Sequence, residues 1–472
     1  MTNIPFGIMS YKSDSLPLSA QSCVNMFLEA QPKGTKTITP IFGVPGITEF
    51  STLGTGPVRG LHNMDGTAYG VGGARLYSID SGGTSVDLGG NISGTSNVYM
   101  ADNGTELVIV NGTFGYIYDV ASGFRIISDA DFKAANSVGF IDSFFILDEA
   151  GTGRIYRSQS LDGTAYDALD FATAEMESDD VVAVYPHKDL LYVFGGRTTE
   201  LWRNAGAANF PFVRLRGSSL KRGLASTNAI TDDDESVFFL GNDRIAYRLQ
   251  GNRLIRISTH ALEREWEGYS SVSDVICNSY TFGGHKFINY TFPTGNKTFS
   301  YDVSTKVWHQ RVSHDRTGIS LGRWRVNAIE EAYQKTLVGD AFSGKVGFID
   351  KTVFTEFGDR ILAEVVSPSL HGNGQRVSMP WFELDVDTGE GLTTGQGSDP
   401  QVMLSISDDG GRSFDNAEIW RSAGKLGEYD GTIYQLRWDR LGRFHERYIK
   451  ITMSDPVRRT IKGARAPGIK VA

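Results

Sequence analysis

The residues best placed to do chemistry lie near the C-terminal end, in the stretch LSISDDGGRSF from Leu404 to Phe414. Ser407, Asp409, Gly411 and Phe414 trace the outline of an Asp-box, a hairpin turn familiar from β-propeller glycan hydrolases. In such a turn the aspartate accepts hydrogen bonds from nearby amides, the glycine takes a positive φ and the aromatic packs beneath. None of these roles is catalytic. Cleaving a glycosidic bond requires instead two carboxylates about 5–9 Å apart in a cleft. Two acidic clusters supply candidates: Glu175, Glu177, Asp179 and Asp180, and Asp232, Asp233, Asp234 and Glu235. The second precedes the apolar run SVFFLG and reads as a turn between strands. His309 and His314 stand five residues apart; metal ligation is open to them, and the plainer reading is two solvated side chains. HExxH, GxSxG and Walker A patterns are absent, and the glycine-rich GEGLTTGQG lacks a following helix. No metal, cofactor or catalytic residue is therefore expected.

The elements that must carry these residues show a weak internal repeat. An aromatic anchor recurs in short β-type runs: Tyr77, Tyr118, Tyr156, Trp202, Tyr247, Tyr301 and Phe348, spaced 38 to 54 residues apart. An apolar strand entered through a polar turn precedes most anchors, as in DNGTELVIV, IDSFFILD and HKDLLYVFGG. Two core strands, an aromatic strand and a more polar strand make a four-stranded blade. A single blade cannot bury both faces, so blades stack radially and close into a ring. The spacing predicts an all-β chain with a six- or seven-bladed propeller over residues 56–360. An extended arm, residues 1–55, leads into the first blade. Alternating strands over 361–472 predict a β-sandwich-like domain. STHALEREWEGYS predicts a short helix, with Leu262, Trp266 and Tyr269 on one face and Ser258 or Thr259 as N-cap. DALDFATAEMESDD reads as a short helix or a loop.

Composition bounds the rest. The chain has 472 residues, 55 of them glycine, which favours many strands and tight turns. Cys23 and Cys277 are far apart and read as free thiols. The first residues lack a basic-then-apolar leader, and no apolar run approaches a membrane span. Net charge is −9, yet from Arg437 onward ten Lys/Arg meet three Asp/Glu. An acidic body does not hold DNA by neutralising phosphates; a basic end on it offers a polar docking surface.

The order of several segments along the chain resembles one family. VNMFLEAQPKG followed by GVPGI, then YGVGGARLYSI, resembles its opening and first blade. AEMESDDVVAVYPHKDLLYVFGGRTTELWRNAGA resembles its central blade. LKRGLAS, THALEREW, TFSYDVSTKVW, LVGDAFSGKVGFID, LSISDDGG, LRWDRLGR and SDPV follow in the family order. The family is that of the packaged-DNA stabilisation proteins of short-tailed bacteriophages, also called tail accessory factors or tail nozzles. The resemblance implies a virion tail protein without enzymatic activity, made and assembled in the host cytoplasm. It implies a hexameric ring docked below the portal and its adaptor, the head-to-tail connector. It further implies contacts with needle, tailspike or fibre, and DNA passing through the lumen without sequence-specific binding. Arg440, Arg443, Arg447, Arg458 and Arg459, on the basic end, are candidate partner contacts; ordinary solvated strand faces are the competing reading.

Two alternatives stand beside the nozzle: a propeller glycan hydrolase, lyase or glycan-binding protein, and a generic propeller adaptor. A hydrolase predicts a concave pocket on the propeller axis where carboxylates and arginines converge. A nozzle predicts large inter-subunit surfaces and no such pocket.

Overall fold

The computed structural model describes residues 2–7, 10–32, 39–174, 177–207, 209–315, 318, 320–415, 419–428 and 435–471. The repeat folds into four-stranded antiparallel sheets, each hairpin set by its turn. Two-residue turns with both central residues at positive φ join first and second strands at Asp65–Gly66, Asp142–Ser143, Asp234–Glu235, Gly283–Gly284 and Tyr333–Gln334. Such turns match the right-handed twist of the strands they connect. The first blade comprises Val58–Met64, Thr67–Gly72, Arg75–Ile79 and Ser85–Gly89. Blades two to five run from Tyr99 to Ile126, Val138 to Thr173, Val181 to Arg214 and Ile230 to Arg256. The sixth holds Ile276–Phe282, His285–Phe292, Lys297–Asp302 and Trp308–His314. The seventh has Val326–Ala332, Lys335–Asp340 and Lys345–Asp350, and its fourth strand comes from the other end of the chain, Gly46–Thr52. Its first strand packs on that of the first blade and closes the ring.

All seven aromatic anchors fall on the third strand of a blade. Six are buried between blades, and burying one large aromatic or aliphatic side chain contributes about 1.5–3 kcal/mol. The expected helix forms at His260–Glu267 with Thr259 as N-cap, and it drives Trp266 into the core of blades five and six. Asp162–Thr173 is a strand, so DALDFAT is neither helix nor loop.

The N-terminal arm does more than lead into blade one. Cys23–Val24 pairs in parallel with Trp308–His314 of blade six and antiparallel with Ala363–Val366 of the C-terminal domain. Blade six and one sandwich sheet thereby share one hydrogen-bonded sheet, which continues through Glu446–Met453, Gln401–Ser407 and Ile419–Ser422. The facing sheet orders Met26–Leu28, Ile41–Gly43, Thr460–Ala466, Trp381–Val386 and Leu436–Asp439, with Thr2–Ile4 added on Thr460–Ala466. Leu384, Phe382, Trp438, Leu404, Ile449 and Ile451 fill the space between. Both cysteines are free and buried; burial pushes the Cys23 thiol up to about 12.

Candidate functional site: axial cavity, Asp-box turn and domain junction

The first strands line a cavity of about 460 Å³ on the propeller axis. A pocket is therefore present where the nozzle reading expected none, and its chemistry decides what it means. Arg59, the arginine among its lining residues, is 2% exposed. Its guanidinium donates to the carbonyls of Ser96, Gly73, Ile92 and Ser93 at 2.7–3.0 Å, so it is committed to a turn of blade one and to the loop between blades one and two. Asp232 Oδ1 accepts from the Tyr185 hydroxyl at 2.5 Å, and its Oδ2 faces His187 Nδ1 at 3.2 Å. His62 Nε2 lies 2.7 Å from Asp102 Oδ2. Glu330 stands apart: burial raises its carboxyl to about 7, with Glu331 and Asp102 adding to the rise and His62 opposing it. The cavity thus holds a carboxyl that is easily protonated, but its arginine is not free to grip a substrate carboxylate.

Asp179, Asp234 and Glu235 serve turns. Asp234 and Glu235 are the central residues of the blade-five hairpin. Asp179 Oδ2 accepts from the amides of Arg197 at 2.7 Å and Thr198 at 3.1 Å. Glu175 lies outside the described residues. His309 and His314 are not solvated, because both are buried on the outer strand of blade six. Burial and the neighbouring Arg311 hold His309 down at about 3, so it is neutral. Among the described residues no cluster of three His, Cys, Asp or Glu side chains could hold a metal ion.

The Asp-box closes a turn. Asp409 Oδ1 accepts from the Ser407 hydroxyl at 2.7 Å and from the amides of Arg412 and Ser413 at 3.0 Å. Ser407 Oγ in turn accepts from the Gly411 amide at 2.9 Å, and Gly411 has φ +81°. The Ser413 and Ser407 hydroxyls, with the Ser413 amide, hold the Asp409 carboxylate well below its usual range. Phe414 does not enter the main sandwich core. It packs on a small cluster of Ala20, Val366, Tyr448 and Leu16. A Cβ on Gly410 would meet Pro17 at 2.7 Å, and one on Gly411 would meet Ala20 at 2.3 Å. The turn is a seat for the N-terminal arm.

Of the C-terminal arginines, Arg440, Arg443 and Arg458 are exposed, and among the described residues no ion pair engages them. Arg447 and Arg459 are buried and face inward, so neither offers its charge to a partner in this structure. Arg447 makes a fork with Asp408 at 2.6 and 2.7 Å and lies over Phe444. Arg459 donates to the carbonyls of Ile361 and Asp455, and burial lowers its guanidinium to about 10.

The densest polar network is one that sequence patterning missed, at the junction of blade six, blade seven and the sandwich. Glu356, 2% exposed, accepts from Ser313 Oγ at 2.5 Å and Trp324 Nε1 at 2.9 Å, and faces Arg311 Nη2 at 3.4 Å. Arg325 forks onto Asp340 at 2.9 and 3.0 Å and reaches Asp359 at 2.7 Å. Burial disfavours the Arg325 charge, but Asp340, Glu356 and Asp359 outweigh it and hold the guanidinium above its ordinary value. Asn25 completes the junction: its Nδ2 donates to Val312 O at 2.9 Å and Leu362 O at 2.8 Å, and its Oδ1 accepts from Val312 N at 3.1 Å. In FTEFGDR and CVNMF no spacing marks these residues; a lone polar residue in an apolar run was the one available sign for Asn25.

A closed propeller cross-braced to a sandwich by the N-terminal arm defines an all-β protein of two joined domains. Residues 2–354 match the family model described as bacteriophage P22 Gp10, beta-propeller, and residues 363–468 match bacteriophage P22 Gp10, beta-sandwich. The chain belongs to this family, the packaged-DNA stabilisation proteins, structural components of the bacteriophage tail. No curated protein matches it in sequence. Among solved structures it is similar to the computationally designed Ika8 protein, at 11% identity and TM-score 0.41, covering 64% of this chain and 99% of that one. It is similar to the extracellular domain of a hybrid two component system from B. thetaiotaomicron, at 12% and 0.42, covering 71% and 43%. It is also similar to PorZ, a surface component of the type-IX secretion system of Porphyromonas gingivalis, at 13% and 0.38, covering 71% and 44%. The chain spans less than half the length of the last two.

Proposed function

We propose that this protein is a ring-forming nozzle of a short phage tail, docking below the portal–adaptor complex, helping to retain packaged DNA and forming part of its exit channel. The observation that carries the reading is the match of both domains, over nearly the whole chain, to the Gp10 family. The junction around Asn25, Arg325 and Glu356 supports it, because a subunit that bears load in a ring benefits from domains that cannot swing. Six copies would meet through heterologous faces, one face of each subunit fitting a different face of the next. Arg440, Arg443 and Arg458 are the exposed basic residues offered to the connector or a neighbour. The acidic remainder gives a channel wall to which DNA does not adhere. The protein acts without catalysis: the axial cavity holds one arginine, already satisfied by four carbonyls, where a hydrolase needs free cationic grips.

Native mass measurement or sedimentation with the head-to-tail connector protein tests this. The expected result is a connector-bound ring of six copies, weakened when Arg440, Arg443 and Arg458 are changed together to Glu. A chain that ignores the connector and cleaves a glycan would overturn the proposal.

A further inference from the structure

The sixth blade presents two unlike faces. Toward blade five it is apolar, with Cys277, Ile288, Tyr290, Phe299, Tyr301 and Trp308 in one core cluster. Toward blade seven, alternate residues make a polar row. Asn278 is paired in register with Asn289, Asn289 with Ser300, and Ser300 with His309, so the row crosses all four strands. Register partners share a face. On that same face Tyr280 and Phe287 pack with Trp324, Val326 and Val338 around blade seven, which places the row inside the molecule. All four side chains are buried, from 7% exposed at Asn278 to 0% at Asn289 and Ser300.

Asn289 Nδ2 donates to Asn278 Oδ1 at 3.1 Å. Beyond that bond, Asn278 Nδ2, Asn289 Oδ1, Ser300 Oγ and His309 Nε2 have no partner among the described residues, and neither does Nε of the adjacent Arg311. Native interiors leave only a few buried polar atoms unpaired per hundred residues. Five on one sheet face require a ligand, and their chemistry says which. Asn278 Nδ2 and Arg311 Nε only donate, so a cation is excluded. Asn289 Oδ1 only accepts, which disfavours an anion. Ser300 Oγ takes either role, and so does the row as a whole.

We propose that blades six and seven enclose a file of ordered water molecules along Asn278, Asn289, Ser300 and His309, continuous with the axial cavity. Water both donates and accepts, and a buried water makes about three hydrogen bonds. Three strand spacings of about 4.8 Å give the row a length of about 14 Å. One bridging water spans only about 5.6 Å between its partners, so the file holds more than one. Asn278 also lines the axial cavity, which supplies the entrance.

A density map of the full chain at about 2 Å is the direct test. It should show at least two solvent peaks within hydrogen-bonding distance of Asn289 Oδ1, Ser300 Oγ or His309 Nε2. Side chains turned onto one another with nothing between them would overturn the proposal, and so would an anomalous peak there in crystals grown with bromide or rubidium. Magnetic relaxation dispersion of solvent water gives a second readout. Asn289→Leu should remove at least one long-residence water from the wild-type count, and an unchanged dispersion in a folded variant would refute the file. If that variant does not fold, the wild-type map still decides.

Discussion

Replacing Asn25 by alanine should destabilise the whole molecule, because three parts of the chain converge on this one side chain. It is fully buried at φ +52°, between the paired segments Cys23–Val24 and Met26–Leu28. Its backbone amide donates to Gln310 O at 2.8 Å and its carbonyl accepts from Val44 N at 3.1 Å, so the backbone cannot easily withdraw. Alanine removes three side-chain hydrogen bonds, to Val312 N, Val312 O and Leu362 O. Each buried group left unsatisfied costs about 1–3 kcal/mol. Holding a residue with a Cβ, but without the local hydrogen bonding of Asn, in the left-handed region costs about 1–2 kcal/mol more. The total, about 4–8 kcal/mol after some rearrangement, is comparable with the entire stability of an ordinary domain. Asn25→Gly separates the two contributions: it loses the same side-chain bonds and relieves the backbone, so it should sit about 1 kcal/mol above Asn25→Ala. Denaturant titration followed by tryptophan fluorescence reads both, with Trp324 reporting from the same junction. A midpoint for Asn25→Ala within about 0.5 kcal/mol of wild type would refute the reasoning, since that is the range of an uninvolved surface site.

Three further predictions rest on single side chains or atoms. Glu330→Gln should change the pH profile of stability: a carboxyl raised to about 7 by burial leaves its contribution intact below the unfolded value and loses it as pH rises through about 7. The Gln variant should therefore match wild type near pH 4 and exceed it at pH 8 by about 2–3 kcal/mol, and parallel profiles in thermal melts would contradict this. Asp409→Ala should lower the melting temperature of the full chain at pH 7 and release the arm from its seat, read as faster proteolysis after Leu18. Because the folded carboxyl lies below its usual range, the difference from wild type should shrink as pH falls below about 4. Gly46→Ala should open the seventh blade, since the added Cβ would lie 2.5 Å from the carbonyl oxygens of both Val353 and Thr355. A loss of about 1–3 kcal/mol is expected, and a neutral result would show that the segment after blade seven yields freely.

The blades were legible in the sequence because their signal is local. Tyr77, Tyr118, Tyr156, Trp202, Tyr247, Tyr301 and Phe348 mark third strands, and the polar turns before the core strands are where the hairpins form. The arm was not legible as sandwich and blade, because the partners of Thr2–Ile4 and Gly46–Thr52 lie at the far end of the chain and no periodicity encodes such pairing. His309 was misread for a different reason. Alternation of polar and apolar residues reports a solvent face only when one side of a sheet is wet. Blade six is covered on both sides, so its polar alternation lies between blades. The same burial concealed Glu356 and Arg325, whose charges are matched by neighbours far away in sequence. Arg447 and Arg459 sat in a basic stretch that reads as surface, and only packing shows that two of the five candidate arginines face inward.

Closure by the arm also bears on how the molecule resists opening. Thr2 Oγ1 donates to the carbonyl of Ile469, 467 residues away, and Lys345 Nζ reaches Glu49 across 296 residues. Bringing ends that far apart together costs about 5 kcal/mol of chain entropy by the (3/2)RT ln n scaling. Contacts of such separation form late in folding, since the entropy must be met before they stabilise anything. Interactions absent from the folding transition state slow unfolding rather than speed folding. The strands Thr2–Ile4, Cys23–Val24 and Gly46–Thr52 should therefore act as kinetic latches, and weakening them by Asn25→Gly should raise the unfolding rate far more than it lowers the folding rate. In the proposed nozzle role, under the pressure of packaged DNA, a slow unfolding rate would matter more than a deep free-energy minimum, because force-driven failure is governed by the barrier. An unfolding rate unchanged by Asn25→Gly, with the whole loss appearing in folding, would place the latch in the folding nucleus and reverse this assignment.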